Sequence, residues 1–77
     1  MDEVIRKAVG SNVRAEMARV GLTQDRVAEL LGISQPQVSK RLLGVISFDA
    51  VELTKLAAEM HTTTSVFFEN SAAEVTA

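Results

Sequence analysis

Between Thr23 and Gly44 the chain carries two runs of about eight helix-forming residues, with only Gly32, Ile33 and Ser34 between them. A link of three residues allows only a tight turn between two helices that cross and touch. Gly32 suits the start of that turn because it reaches left-handed backbone angles that a side chain resists. Ser34 is a good N-cap for the second run, and Pro36 falls in its first turn, where a missing N–H costs nothing. Thr23 caps the first run, with Arg26 rather than Glu at the position that would complete a capping box. Val27, Ala28 and Leu31 form the inward face of the first helix, and small Ala28 lets the pair approach closely. Val38 and Leu42, four apart, seat the second helix, which runs from about Gln35 to Leu43 and ends at Gly44.

The flanking segments read as helices too. Ile5, Val9, Val13, Met17 and Val20 recur at helical spacing over Val4 to Val20, with an expected break or frayed turn near Gly10 and a stop at Gly21. Ser47 is the expected cap of a fourth helix, about Phe48 to Met60, with an apolar stripe through Val51 or Leu53, Leu56, Ala57 and Met60. His61 stands where a helix-ending glycine is usual, and histidine tolerates the left-handed region better than most residues. Thr63 is expected to cap a last short helix through Phe68. No strand-like alternation competes, so the fold class is all-α, with five helices and one core. Residues 1–68 make the domain, the helix-turn-helix occupies about 23–44, and 69–77 form a tail expected to be disordered.

Seventy-seven residues leave no room for a second core, and a chain without Trp, Tyr or Cys must pack aliphatic side chains. The absence of cysteine excludes disulfides and thiolate zinc sites, and a single histidine furnishes no metal cluster. No metal, cofactor or small-molecule ligand is implied. No apolar run approaches the roughly 20 residues that span a bilayer, and the acidic start Met1-Asp2-Glu3 lacks a leader's basic region. The expected localisation is therefore cytoplasmic, with no membrane partner. The carboxylates read as scattered on exposed helical faces, and no serine has a base placed beside it. Catalysis is not expected.

A net charge of -2 looks wrong for a protein that meets phosphate, but its distribution argues otherwise. Residues 1–46 hold seven basic against five acidic residues, whereas residues 47–77 hold one against five. No acid occurs from Leu30 to Phe48, where Lys40 and Arg41 lie. Seating Val38 and Leu42 inward leaves Gln35, Gln37, Ser39, Lys40 and Arg41 on the outer side and flanks. Gln pairs in bidentate fashion with adenine, and Lys donates to guanine.

Thr23-Gln24, Val27-Ala28, Leu31-Gly32-Ile33-Ser34, Val38-Ser39 and Gly44 resemble the helix-turn-helix of the lambda-repressor and Cro-like family, small regulators of phages and bacterial operons. The resemblance covers about Val13 to Phe68. It implies a compact five-helix domain that is usually dimeric on double-stranded DNA and reads a pseudo-palindromic operator. It further implies that Gln35, Pro36, Ser39 and Lys40 face bases. By the same resemblance Gln24 meets a phosphate and braces the reading helix, and Gly44 lies where the backbone approaches phosphates. Gln37, Arg41 and Arg14 are the further candidates for phosphate. Two departures stand out. Members often pair a buried Arg with a Glu where this chain has Met17 and Leu42, which are expected to touch in the core instead. Pro36 replaces a polar base contact with an apolar one.

Val66, Phe67 and Phe68 cannot all point inward from one short turn, so this region is the expected homodimer surface. The leading expectation is a sequence-specific repressor of the Cro or small-repressor type that works by occluding polymerase. Two rivals remain. One is an antitoxin whose acidic C-terminal half grips a protein partner, with DNA autoregulation secondary. The other is a helix-turn-helix that has lost DNA binding and serves assembly.

Overall fold

The computed structural model describes residues 2–69: helices α1 (Asp2–Val20), α2 (Gln24–Leu31), α3 (Gln35–Leu42) and α4 (Ala50–Glu59), then a 3-10 segment, Thr64–Phe68. The expected fifth helix is thus a single 3-10 turn. Thr63 precedes it without capping it, its hydroxyl pairing with Ser65 instead. The expectation of a disordered tail falls on residues 70–77, outside the described residues. Glu69 is described, and its carbonyl accepts from Asn12 Nδ2 at 2.7 Å.

All four helices end the same way. Leu22, Ile33, Val45 and Thr62 each donate a backbone N–H to the carbonyl five residues back, at 2.9–3.1 Å. This is the six-residue closure that places a left-handed residue one position earlier. Glycine fills that position three times. His61 fills it once, at φ 56°, as its place in the sequence suggested.

The core is Val9, Val13 and Met17 of α1, Val27 of α2, Val38 and Leu42 of α3, Leu53, Leu56 and Ala57 of α4, with Met60 and Phe67. Met17 and Leu42 are both buried in this one cluster. Phe67 is fully buried and closes the core from the 3-10 turn. Asn12 holds that turn by donating to the Phe67 carbonyl at 2.9 Å.

Two expectations are corrected here. Gly10 neither breaks nor frays α1. It is buried, and a Cβ there would stand 2.4 Å from the Leu42 carbonyl oxygen. The glycine lets α1 cross the end of α3 backbone to backbone. The fourth helix is capped by Asp49, not Ser47. Asp49 accepts from the Glu52 N–H at 2.7 Å while Glu52 Oε1 accepts from the Asp49 N–H at 3.0 Å, a complete capping box. Phe48, left outside the helix, joins Leu53 in the wall of one cleft, the staple geometry for such a cap. Of the two candidates for the stripe, Leu53 faces the core and Val51 is 63% exposed.

Candidate nucleic-acid interface

The turn between α2 and α3 follows from its three residues. Gly32 takes φ 67°, its N–H reaches Glu29 and the Ile33 N–H reaches Ala28, so both close the end of α2. Ile33 packs against the core. Ser34 then accepts from the Gln37 N–H and starts α3, with Pro36 in its first turn. Fully buried Val38 and nearly buried Leu42 anchor the inner face. Side chains of this kind contribute about 1.5–3 kcal/mol each when removed from water. With that side fixed, Gln35, Pro36 and Lys40 are exposed on α3, and Ser39 is half-buried beside them. Gln24, first residue of α2, is also exposed.

Two matched helices, a left-handed glycine between them and an exposed polar stripe on the second form the helix-turn-helix. A family model described as helix-turn-helix matches residues 13–67. The chain belongs to the lambda-repressor/Cro-like helix-turn-helix family. No curated protein matches the chain. Members of the family bind double-stranded DNA and regulate transcription, and the family is not typically enzymatic. The match begins at Val13, so the first half of α1 lies ahead of the segment the helix-turn-helix family defines. Through Gly10 and through Arg6, whose Nε donates to the Gly44 carbonyl at 2.9 Å, that half braces the end of α3.

The helix-turn-helix candidates fall into two groups. Gln35, Pro36, Ser39 and Lys40 lie together on α3, and Gln24 opens the neighbouring helix. Arg14 is exposed on α1 and makes no ion pair among the described residues. Arg41 does not project toward solvent as expected. Its side chain is 14% exposed, its Nε meets Glu52 Oε1 at 3.1 Å, and its Nη1 donates to the Gln37 carbonyl and to Gln37 Oε1. It is a strut tying α3 to the first turn of α4. Gln37 has its side-chain oxygen committed to the same strut. Gly44 is buried, and its N–H is taken by the Arg41 carbonyl, so it has no backbone donor to offer a phosphate.

Glu52 is the residue that sequence reasoning placed wrongly, as one of many exposed carboxylates. It is 9% exposed and joins the cap of α4 to Arg41. The Asp-x-x-Glu spacing from Asp49 was the available signal. Asp25 was also missed. Its carboxylate accepts a hydrogen bond from Gln35 Nε2 across the turn. Gln24, expected to brace the reading helix, makes no side-chain hydrogen bond among the described residues.

Of the three expected dimer residues, Phe67 is withdrawn into the core and Val66 is half-buried against it. Phe68 is 46% exposed and lines a largely apolar cleft with Ile5, Val9, Phe48 and Leu53, to which Arg6 and Ser47 also contribute. No helix among the described residues is long and apolar enough to cross a membrane, and no group of three or more potential metal ligands occurs among them.

Proposed function

We propose that this protein is a sequence-specific regulator of the Cro or small-repressor type, reading the major groove with α3 and repressing by occupying a promoter. The supporting observation is the exposure of Gln35, Pro36 and Lys40 on a helix whose opposite face, Val38 and Leu42, is locked in the core. Gln35 and Lys40 supply hydrogen bonds to base edges, Pro36 offers apolar contact to a thymine methyl, and Ser39 is within reach of either. Gln24 and Arg14 hold phosphates. Gln37 contributes through its amide nitrogen.

The protein acts as a symmetric dimer on a pseudo-palindromic site. Two reading helices then fall about one DNA turn apart, roughly 34 Å. The contact runs through Phe68 and the apolar residues around its cleft, since Phe67 is not at the surface. The same cleft favours a second reading, an antitoxin that grips a protein partner there.

Selection from random duplexes should return a two-fold symmetric consensus. Gln35→Ala should cost about 1–3 kcal/mol on that site and relax preference at one position of each half. Equal losses on cognate and random DNA would refute base reading by Gln35. A consensus lacking symmetry would refute the dimer.

A further inference from the structure

The hydrogen bond from Gln35 to Asp25 carries a consequence for which base the reading helix accepts. A glutamine amide has an acceptor oxygen and an NH2 with two donors. An ionised carboxylate only accepts, so Asp25 can face only the NH2 side of Gln35. That contact takes one N–H and fixes which way the amide lies. What remains for a partner is Oε1 and the second N–H.

In the major groove adenine presents the N7 acceptor beside the N6 amino donor. One N–H and one carbonyl oxygen, side by side, match that pair. Guanine presents two acceptors, N7 and O6, and there Oε1 would meet O6, oxygen against oxygen. Cytosine offers a single amino donor and so one contact. Were Asp25 absent, the amide could turn its NH2 outward and bond guanine as well.

We propose that Asp25, on α2 and outside the reading helix, is a positioning residue that makes Gln35 accept adenine and reject guanine. The inference rests on the DNA-reading function proposed above. Asp25 is free to serve this way: it is exposed, lies in the first turn of α2 where a negative charge is favoured, and forms no ion pair among the described residues. It also brings a negative charge near the phosphates, which lowers affinity for DNA of any sequence. The arrangement exchanges general affinity for discrimination.

The test compares duplexes with each of the four bases at the position whose preference disappears in Gln35→Ala. The parent should bind adenine best and guanine worst, with a ratio on the order of tenfold or more. Asp25→Asn offers both a donor and an acceptor, so it should lower that ratio several-fold while affinity for random DNA stays level or rises. Asp25→Glu keeps an acceptor-only group and should preserve the ratio. In a Gln35→Ala background, Asp25→Asn should leave base preference unchanged.

The proposal is overturned if Asp25→Asn leaves the adenine-to-guanine ratio intact, or weakens all four duplexes by one factor, as a merely structural role would. It is also overturned if the substitution shifts preference equally without Gln35. If Gln35→Ala itself alters no position, base reading by α3 fails and takes this inference with it. If that effect stands and the Asp25 effect does not, only the inference falls.

Discussion

Gly10→Ala sets helix propensity against packing, and the distances decide which wins. In an exposed helix interior the exchange gains about 1 kcal/mol. Here the new Cβ would stand 2.4 Å from the Leu42 carbonyl oxygen, 2.8 Å from that of Arg41 and 2.9 Å from the Leu42 carbonyl carbon. Carbon against carbonyl oxygen rests at about 3.3 Å or more. One of the two helices must therefore retreat by roughly 0.9 Å, because all three neighbours are backbone and no rotamer change relieves them. Overpacking of a tight core costs about 1–3 kcal/mol. A clash of backbone on backbone belongs at the upper end, so the net loss is about 2 kcal/mol. In a domain of this size each kcal/mol moves Tm by about 4–8 °C, which puts the fall at roughly 8–16 °C. Thermal and urea unfolding followed by helical circular dichroism measure it, with an unchanged urea slope marking a pure stability effect. A Gly10→Ala protein as stable as the parent would show that α1 and α3 do not meet backbone to backbone.

The Arg41–Glu52 pair is the second place where one substitution should be severe. Arg41→Met or Glu52→Leu alone strands a mostly buried charge and should cost about 3–5 kcal/mol, whereas the double variant should recover most of the loss in urea unfolding; additive losses would deny the coupling. In the first turns of α1, the hydrogen bond and charge of Lys7 hold Glu3 below the ordinary carboxylate range. A depressed folded value means that the pair supports α1 at pH above the unfolded value and is lost as pH falls through the folded one. An NMR titration should give Glu3 a lower midpoint in the parent than in Lys7→Ala, and equal midpoints would dismiss the pair.

The fold was legible where a signal is local. Caps at Thr23 and Ser34, stops at Gly21, Gly32 and Gly44, and even the left-handed His61 are written within a few residues of where they act. Periodicity placed Val13, Val27, Val38 and Leu56 inward without knowledge of their partners. What stayed hidden depends on residues far apart in the chain. Gly10 reads as a weak point of α1 until α3 is laid across it. Arg41 reads as an exposed cation until Glu52, eleven residues on and in another helix, is brought beside it. The start of α4 was a different kind of miss. Ser47 and Asp49 are both competent caps, and only the Glu three places after Asp49 separates them. Of the two alternatives for the stripe, Leu53 takes the core, three residues before Leu56 and four before Ala57, and Val51 faces out. The candidate site followed the same division: the stripe of α3 was readable from spacing, whereas the Asp25 contact that orients Gln35 crosses a turn and was not.

Ion pairing leads to the question of affinity. Seven of the eight basic residues lie in residues 1–46, which suggested a basic face, but four of those seven are paired: Lys7 with Glu3, Arg19 with Glu16, Arg26 with Glu29 and Glu59, and Arg41 with Glu52. Arg6 is directed to the Gly44 carbonyl. The proposed interface is left with Lys40 and Arg14 as its cations. Two per protomer would make about four in the proposed dimer, so the logarithm of affinity should fall with that of salt at a slope near -3.6, from about -0.9 per neutralised phosphate. Such a protein holds random DNA weakly. In the proposed dimer, grip on an operator would come from base contacts made twice over, and discrimination rather than general affinity would be its strength. Titrations of a labelled operator across a range of salt concentrations measure the slope. A value steeper than about -8 would mean that the paired arginines turn outward to meet phosphates, and that the struts seen in the free protein do not persist on DNA.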